Sequence, residues 1–160
     1  MPALNYFLAD VFTDHPFGGN PLAVFPQVNA LSTNTMQAIA RELNLSETVF
    51  VFAPNRADTR CDLRIFTPGS ELPCAGHPTI GTALVLEAID DLRKRPNVAT
   101  AADGSLNIIL GEGVGPVPVK ITRTEGIARA VLTSPRIPKK YPLGLMPLSW
   151  HVCWVCRLRI

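Results

Sequence analysis

The stretch Pro73-Cys74-Ala75-Gly76-His77-Pro78-Thr79-Ile80-Gly81-Thr82-Ala83 predicts the central element of the fold. It leaves an extended segment, turns at Ala75-Gly76 and opens a helix. Pro78 favours the first helical position, because the N–H that proline lacks has no helical partner there. The small residues that follow are typical of a helix wrapped tightly by a sheet. The stretch therefore predicts a central helix that runs from Pro78 to about Ile89.

The start of this helix also has the features of an anion site. Backbone amides around Gly76 to Thr79 have no helical acceptor, and the helix dipole favours negative charge at the same place. His77 adds a titratable imidazole beside them. This pattern predicts binding of a phosphate or carboxylate with acid/base chemistry next to it, although many helices begin this way with nothing bound.

Length and composition limit the class of protein. The chain has 160 residues, a net charge of +2 and 47% hydrophobic residues, which suits one domain with its own core. No apolar run approaches the roughly 20 residues that cross a membrane. Met1-Pro2-Ala3 lacks the basic start of a secretory signal, so we expect a cytoplasmic protein. The near-neutral charge gives no electrostatic reason to expect nucleic acid or a membrane surface as a partner.

Hydrophobic patterning predicts strands around two helices. Ser32 is a candidate N-cap for a helix that runs to about Leu43, where Asn44 is a candidate left-handed stop. Strands around one long apolar helix, without a repeated βαβ pattern, predict an α+β fold. The predicted strands cover residues 5–12, 21–25, 48–52, 61–66, 105–110, 115–122 and 127–133, with a hairpin joining the first two.

The last residues differ in character from the rest. Both tryptophans and half of the cysteines lie in residues 138–160, without a clear period. Residues 1–137 are therefore predicted to form the folded lobe, and residues 138–160 a divergent tail of the kind that an out-of-frame segment produces. A small hydrophobic interaction element is the alternative.

The two cysteines of that tail allow a second interpretation of it, as a redox-active or metal-binding segment. Cys153-Trp154-Val155-Cys156 matches C-x-x-C, a spacing found in redox-active and metal-binding sites. A structural zinc site needs two further ligands, and Cys61 and Cys74 are distant with a different spacing. We therefore expect no metal.

Glu47 is the leading candidate for a general acid/base. It lies in Asn44-Leu45-Ser46-Glu47-Thr48, where a helix is predicted to stop and an apolar strand to begin. A carboxylate that enters a buried strand loses hydration, which raises its pKa toward the range of a proton shuttle. The alternative is a solvated loop residue.

Other polar residues are weaker candidates. Cys74 would have a lowered pKa if it were exposed at the helix N-terminus, and otherwise is a packed small residue. Ordinary surface positions are expected for the remaining candidates, which are Asp10, Asp14, His15, Arg64 and Glu71.

Several motifs together resemble one family. They are Asp10-Val11-Phe12-Thr13, Pro16-Phe17-Gly18-Gly19-Asn20-Pro21-Leu22-Ala23-Val24, Asn44-Leu45-Ser46-Glu47-Thr48, Phe66-Thr67-Pro68 and Ala75-Gly76-His77-Pro78-Thr79. Their order and spacing are similar to those of the PhzF-like proteins, the phenazine-biosynthesis isomerases, which are similar in fold to diaminopimelate epimerase. The resemblance covers residues 4 to about 137.

The resemblance implies a fold and a reaction. The fold would be a diaminopimelate-epimerase-like lobe, in which a barrel-like, mostly antiparallel sheet surrounds a central helix. The reaction would be a cofactor-independent proton shift in a small carboxylic acid. Glu47 matches the catalytic glutamate, Gly76 and His77 match substrate-contacting residues, and Asn20 and Ser46 line the same cleft. Ala75 occupies the position of the cysteine base of diaminopimelate epimerase, which disfavours two-cysteine racemase chemistry.

The resemblance also implies a second lobe. Family members are nearly twice as long, and their second half completes the cleft. We therefore expect this chain to be an N-terminal lobe with reduced or no activity alone. The alternative is a non-catalytic assembly module that self-associates, for example as a homodimer, or pairs with a second lobe.

Overall fold

The computed structural model describes residues 3–89 and 97–134, and the backbone of residues 155–158. Two helices lie in these ranges: α1, Thr33–Leu43, and α2, Gly76–Ile89. The strands are β1 Phe7–Val11, β2 Asn20–Phe25, β3 Glu47–Phe52, β4 Cys61–Phe66, β5 Glu71–Leu72, β6 Val98–Thr100, β7 Leu106–Glu112, β8 Gly115–Thr124, β9 Ile127–Leu132 and β10 Val155–Leu158.

All of these strands belong to one sheet. The order is β1-β2-β3-β4-β7-β8-β9-β10, with β5 paired to β4 and β6 paired to β7. Only the pairs β2–β3 and β4–β7 are parallel within the described ranges. Parallel neighbours need a crossover, and α1 and α2 lie in those two connections. The expected hairpin is confirmed by the antiparallel pairing of β1 with β2.

The sheet curves around α2. This helix contacts β1, β2 and β3 on one side and β8, β9 and β10 on the other. Residues 78–86 are all buried, as expected for a helix that is apolar around its whole circumference. A Cβ at Gly81 would lie 2.6 Å from Leu22 Cδ2 and 2.7 Å from a Val11 methyl group, so an added side chain there would require these neighbouring side chains on β1 and β2 to move. The predicted α+β fold with a central helix is confirmed.

The other face of the sheet is covered by α1. Met36 and Ala40 pack there with a set of aromatic side chains. The Phe25 and Phe50 rings stack with centroids 4.8 Å apart, and Phe66 meets Phe50 edge-on at 5.6 Å. Because β3 lies between α1 and α2, it is buried on both faces, as its continuous apolar run predicts.

The predicted caps of α1 are confirmed, whereas the start of α2 differs from its prediction by two residues. Ser32 Oγ accepts a hydrogen bond from the N–H of Thr35, and Asn44 adopts a left-handed conformation with φ 51°. However, α2 begins at Gly76 and not at Pro78, because the two residues before the proline already have helical geometry. Pro78 is still within the first turn, where its missing N–H leaves no helical bond unmade.

Part of the predicted tail pairs with the sheet. Strand β10 runs antiparallel to β9, with Val155 opposite Val131. The rest of residues 138–160, including Cys153, lies outside the described residues, and so does the Cys156 side chain. The division at residue 137 stays a prediction.

Two classes of feature do not occur within the described ranges. No helix there is long and apolar enough to span a membrane. No cluster of His, Cys, Asp and Glu side chains in the same ranges has the arrangement of a metal site.

Candidate active site

The centre of the site is the contact between Glu47 and His77. Glu47 is the first residue of β3, directly after the turn at the end of α1, and His77 is in the first turn of α2. The Glu47 Oε2 atom lies 3.2 Å from His77 Nδ1, and the two side chains are 18% and 9% exposed. Glu47 is therefore a mostly buried carboxyl and not a solvated loop residue.

Burial changes the proton affinity of both groups in opposite directions. It raises the pKa of Glu47 and lowers the pKa of His77, since each is less hydrated than in water. An ion pair at 3.2 Å would act the other way, but the contact is not aligned as a hydrogen bond. Burial therefore disfavours the charged form of each partner and brings the two pKa values closer together.

Asn20 and Ser46 form further polar contacts with the Glu47–His77 pair, through His77. The Ser46 hydroxyl donates to Asn20 Oδ1 at 3.0 Å, which directs the Asn20 amide nitrogen toward His77 Nδ1 at 3.4 Å. With its oxygen engaged by Ser46, Asn20 offers N–H groups to the imidazole. The chain of contacts thus joins three of the predicted substrate-binding positions to Glu47.

Several polar groups of the site lack a hydrogen-bond partner within the described residues. Glu47 Oε2 and His77 Nε2 are buried and make no hydrogen bond among the described residues. The first helical bond of α2 runs from the Thr79 N–H to the Ala75 carbonyl. The N–H groups of Gly76 and His77 precede it and have no helical acceptor. An anion at this helix start would meet two amides and the Glu47–His77 pair.

The side of the site next to the hairpin is formed by an aromatic ring. Phe12 directly follows β1, and its ring centroid lies 6.1 Å from that of His77. Its φ of 69° is in the left-handed region, which is uncommon for a residue other than glycine, asparagine or aspartate. Sequence analysis did not select Phe12 as a site residue, since this contact depends on the path of the turn after β1.

The weaker candidates have structural partners. Asp10 accepts a hydrogen bond from the Phe17 N–H at 2.8 Å, which closes the turn after β1. Asp14 and His15 pair with each other at the surface. Arg64 forms a two-pronged ion pair with Glu71, at 2.7 Å and 2.6 Å. These contacts agree with the expectation of ordinary surface positions.

Cys74 is a packed thiol beside a carboxyl that the sequence did not single out. Burial, together with the adjacent Glu112, raises the pKa of Cys74 to about 12, so the alternative of an activated thiolate is wrong. Glu112 is the last residue of β7. It lies in Gly111-Glu112-Gly113, and this glycine-rich pattern by itself predicts only an exposed turn. Nothing in that local pattern indicates its burial under α2.

Two cavities occur elsewhere in the described part of the chain. One of about 370 Å³ lies between β1 and the end of α2, and another of about 500 Å³ lies along β6, β7 and β8. Neither includes Glu47 or His77. The Glu47–His77 pair therefore lies outside both of these cavities.

Several known proteins are similar to this chain in sequence and in fold. An uncharacterized isomerase of Mesorhizobium japonicum is 41% identical over 147 residues, which cover 92% of this chain and 45% of the relative. The trans-2,3-dihydro-3-hydroxyanthranilate isomerase of Pseudomonas aeruginosa is 39% identical over 133 residues, which cover 83% and 43%. The solved structure of a predicted epimerase from Pseudomonas aeruginosa matches with a TM-score of 0.65 and 30% identity, over 81% of this chain and 43% of that one.

The chain spans less than half the length of these curated relatives. The family model for phenazine biosynthesis-like proteins, PhzC-PhzF, matches residues 9–139. That range includes the Glu47–His77 pair, Asn20 and Ser46. The chain belongs to the PhzC-PhzF family of phenazine biosynthesis-like proteins.

Proposed function

We propose that this chain forms one wall of the active-site cleft of an isomerase and carries its acid/base residues. The isomerase shifts a proton within a small carboxylic acid. The observation that carries the proposal is the contact of Glu47 with His77 at the start of α2. Membership of a family that includes a trans-2,3-dihydro-3-hydroxyanthranilate isomerase supports it. We take that compound as the representative substrate.

In the proposed reaction, Glu47 accepts a proton as a C–H bond of the substrate breaks. The electron pair enters the conjugated system of the substrate, and a proton is returned at another carbon. His77 accepts or returns the proton that Glu47 carries, because burial brings the two pKa values together. The Gly76 and His77 amides hold the substrate carboxylate. The step is redox-neutral, so the proposal needs no cofactor.

The proposal includes a second wall. Catalysis by preorganised groups depends on excluding water, and Ser46, next to Glu47, is exposed. We propose that the isolated chain has reduced or no turnover until another protein surface covers this wall. A second lobe or a second copy of the chain could provide it.

A chimera tests both parts of this proposal. The chain replaces the matching portion of the Pseudomonas aeruginosa isomerase, which then supplies the remainder of that enzyme. We expect the chimera to isomerise trans-2,3-dihydro-3-hydroxyanthranilate, the Glu47→Gln chimera to be inactive, and the Glu71→Gln chimera to remain active. A folded chimera without turnover, or an active Glu47→Gln chimera, contradicts the catalytic assignment. Turnover by the isolated chain at the rate of the chimera contradicts the need for a second wall.

A second candidate function is non-catalytic assembly. Strand β1 and the following loop expose large apolar side chains, with Leu8 65% and Phe17 97% accessible. Exposed apolar surface of this kind favours association. Sedimentation distinguishes the two functions: a homodimer that Leu8→Lys dissociates supports assembly. A monomer that binds no apolar dye contradicts it.

A further inference from the structure

The hairpin between β7 and β8 holds the segment that leads into α2. The Val114 N–H donates to the Pro73 carbonyl at 3.2 Å. A Cβ at Gly113 would lie 3.0 Å from Pro73 Cα and 3.1 Å from its carbonyl oxygen, so the two backbones approach closely. The third contact joins Glu112 Oε1 to the Thr79 hydroxyl. Three consecutive hairpin residues thus contact the chain on both sides of His77, at Pro73 before it and at Thr79 after it.

The hydrogen bonds of Thr79 bear on the protonation state of Glu112. The Thr79 hydroxyl lies 2.6 Å from the Ala75 carbonyl oxygen and also contacts Glu112 Oε1. A carbonyl can only accept, and a hydroxyl has one hydrogen to donate. If that hydrogen goes to Ala75, the hydrogen between Thr79 and Glu112 belongs to the glutamic acid. An ionised Glu112 would leave one of these two close oxygen–oxygen contacts without a hydrogen.

The surroundings of Glu112 agree with a neutral acid. Burial raises its pKa, and this effect outweighs the opposite effect of hydrogen bonds from Thr79 and Cys74. Its Oε2 atom is buried and accepts no well-formed hydrogen bond, and no Lys or Arg within the described ranges pairs with it. Cys74 is the titratable group that faces it, and that thiol stays neutral because its own pKa is raised to about 12. An unpaired buried carboxylate would be unfavourable here.

We propose that Glu112 is a positioning residue, held as a neutral carboxylic acid that fixes the first turn of α2 and thereby the His77 imidazole. It acts through Thr79, whose hydroxyl binds the Ala75 carbonyl at the start of the helix. The catalytic significance of this role rests on the proposed function. The placement of His77 by Glu112 does not, and it can be measured without turnover.

Carbon NMR of the full chain labelled at the glutamate carboxyl carbons tests the protonation state. The Glu112 signal is assigned by its loss in the Glu112→Gln variant, and the Glu47 signal by its loss in Glu47→Gln. We expect the Glu112 signal to keep the position of a protonated acid above pH 4.5, the ordinary value for glutamate. A Glu112 signal that titrates at or below that value overturns the proposal.

Ring resonances of His77 in the same samples test the positioning role. Glutamine resembles the protonated acid, since its amide N–H can donate to Thr79 as the acid does. We therefore expect Glu112→Gln to leave the His77 signals in place and Glu112→Ala to shift or broaden them. Glu42→Ala, on the exposed face of α1, is the matched control and should change nothing.

Each outcome decides the proposal. Unchanged His77 signals in folded Glu112→Ala overturn it, and so do shifts of equal size in Glu112→Gln and Glu112→Ala. If Glu112→Ala does not fold, Thr79→Val and Thr79→Ser replace it, with the shift expected only in the valine variant. A chimera without activity but with these NMR results would contradict the proposed function and leave the positioning role intact.

Discussion

Glu47 Oε2 and His77 Nδ1 lie 3.2 Å apart, although the two residues belong to different elements and are separated by thirty positions in the chain. Burial favours the uncharged form of each. These opposite shifts bring the proton affinities of the carboxyl and the imidazole closer together. The consequences of this arrangement can be measured in the chain itself.

The first prediction concerns Glu47 and stability at different pH values. Its pKa is raised above the ordinary 4.5 in the folded protein, so the folded state binds more protons than the unfolded state above pH 4.5. The contribution of Glu47 to stability is therefore present below pH 4.5 and is lost as the pH rises through the folded pKa. Urea unfolding at a series of pH values should show this decline, and Glu47→Gln should reduce its slope. An unchanged slope would contradict the raised pKa.

The second prediction concerns His77, whose contribution to stability changes with pH in the opposite direction. Its pKa is lowered below 6.5, so the unfolded state binds more protons when the pH falls under that value. Stability is therefore lost as the pH falls from 6.5 through the folded pKa of His77. Proton NMR of the imidazole should give a midpoint below 6.5, with the signal assigned by its absence in His77→Gln. A midpoint above 6.5 would indicate a charged pair with Glu47.

The third prediction concerns the packing of α2. Gly81→Ala places a methyl group 2.6 Å from Leu22 Cδ2, which is closer than van der Waals contact. We expect a loss of about 1–3 kcal/mol in the free energy of unfolding, as for other overpacked cores. Gly69→Ala is the matched control, because the nearest atom there would be 3.9 Å away. Chemical denaturation measures both variants, and equal stabilities would contradict the close approach of α2 to β2.

The fourth prediction concerns the N-cap of α1. Ser32 accepts a hydrogen bond from the Thr35 N–H at 3.1 Å. Removing this acceptor in Ser32→Ala should destabilise the protein by about 1 kcal/mol, while Ser32→Asp should retain most of the stability because aspartate also caps well. Thermal unfolding followed by circular dichroism distinguishes the variants. Equal losses in both would indicate that capping is not the cause.

Much of the fold follows from local signals in the sequence. Ser32 and Asn44 mark the ends of α1 because capping depends on a side chain and on backbone conformation within a few residues. The all-apolar pattern of α2 and the continuous apolar run of β3 predict burial on every side. The predicted start of α2 is wrong by two residues, because Gly76 and His77 take helical geometry ahead of Pro78.

The site was predictable only in part. Glu47 and His77 each stand at a recognisable junction, and the family resemblance joined them with Asn20, Ser46 and Gly76. Local pattern gave no sign of the contact between Asn20 and His77, which are 57 positions apart. Glu112 was missed for the same reason, since its partner Thr79 is 33 positions away and only the curvature of the sheet brings them together.

Solvent deuterium exchange tests the central claim, that Glu47 carries the proton, most directly. The chimera, in excess over trans-2,3-dihydro-3-hydroxyanthranilate, is allowed a single turnover in deuterated water, and the position of the label in the product is measured. We predict deuterium at the carbon that receives the proton, with the rate reduced by about 10²-fold or more in Glu47→Gln, as for other general acid/base residues. Glu71→Gln should exchange at the unmodified rate. Exchange in Glu47→Gln at the rate of the unmodified chimera would contradict the account.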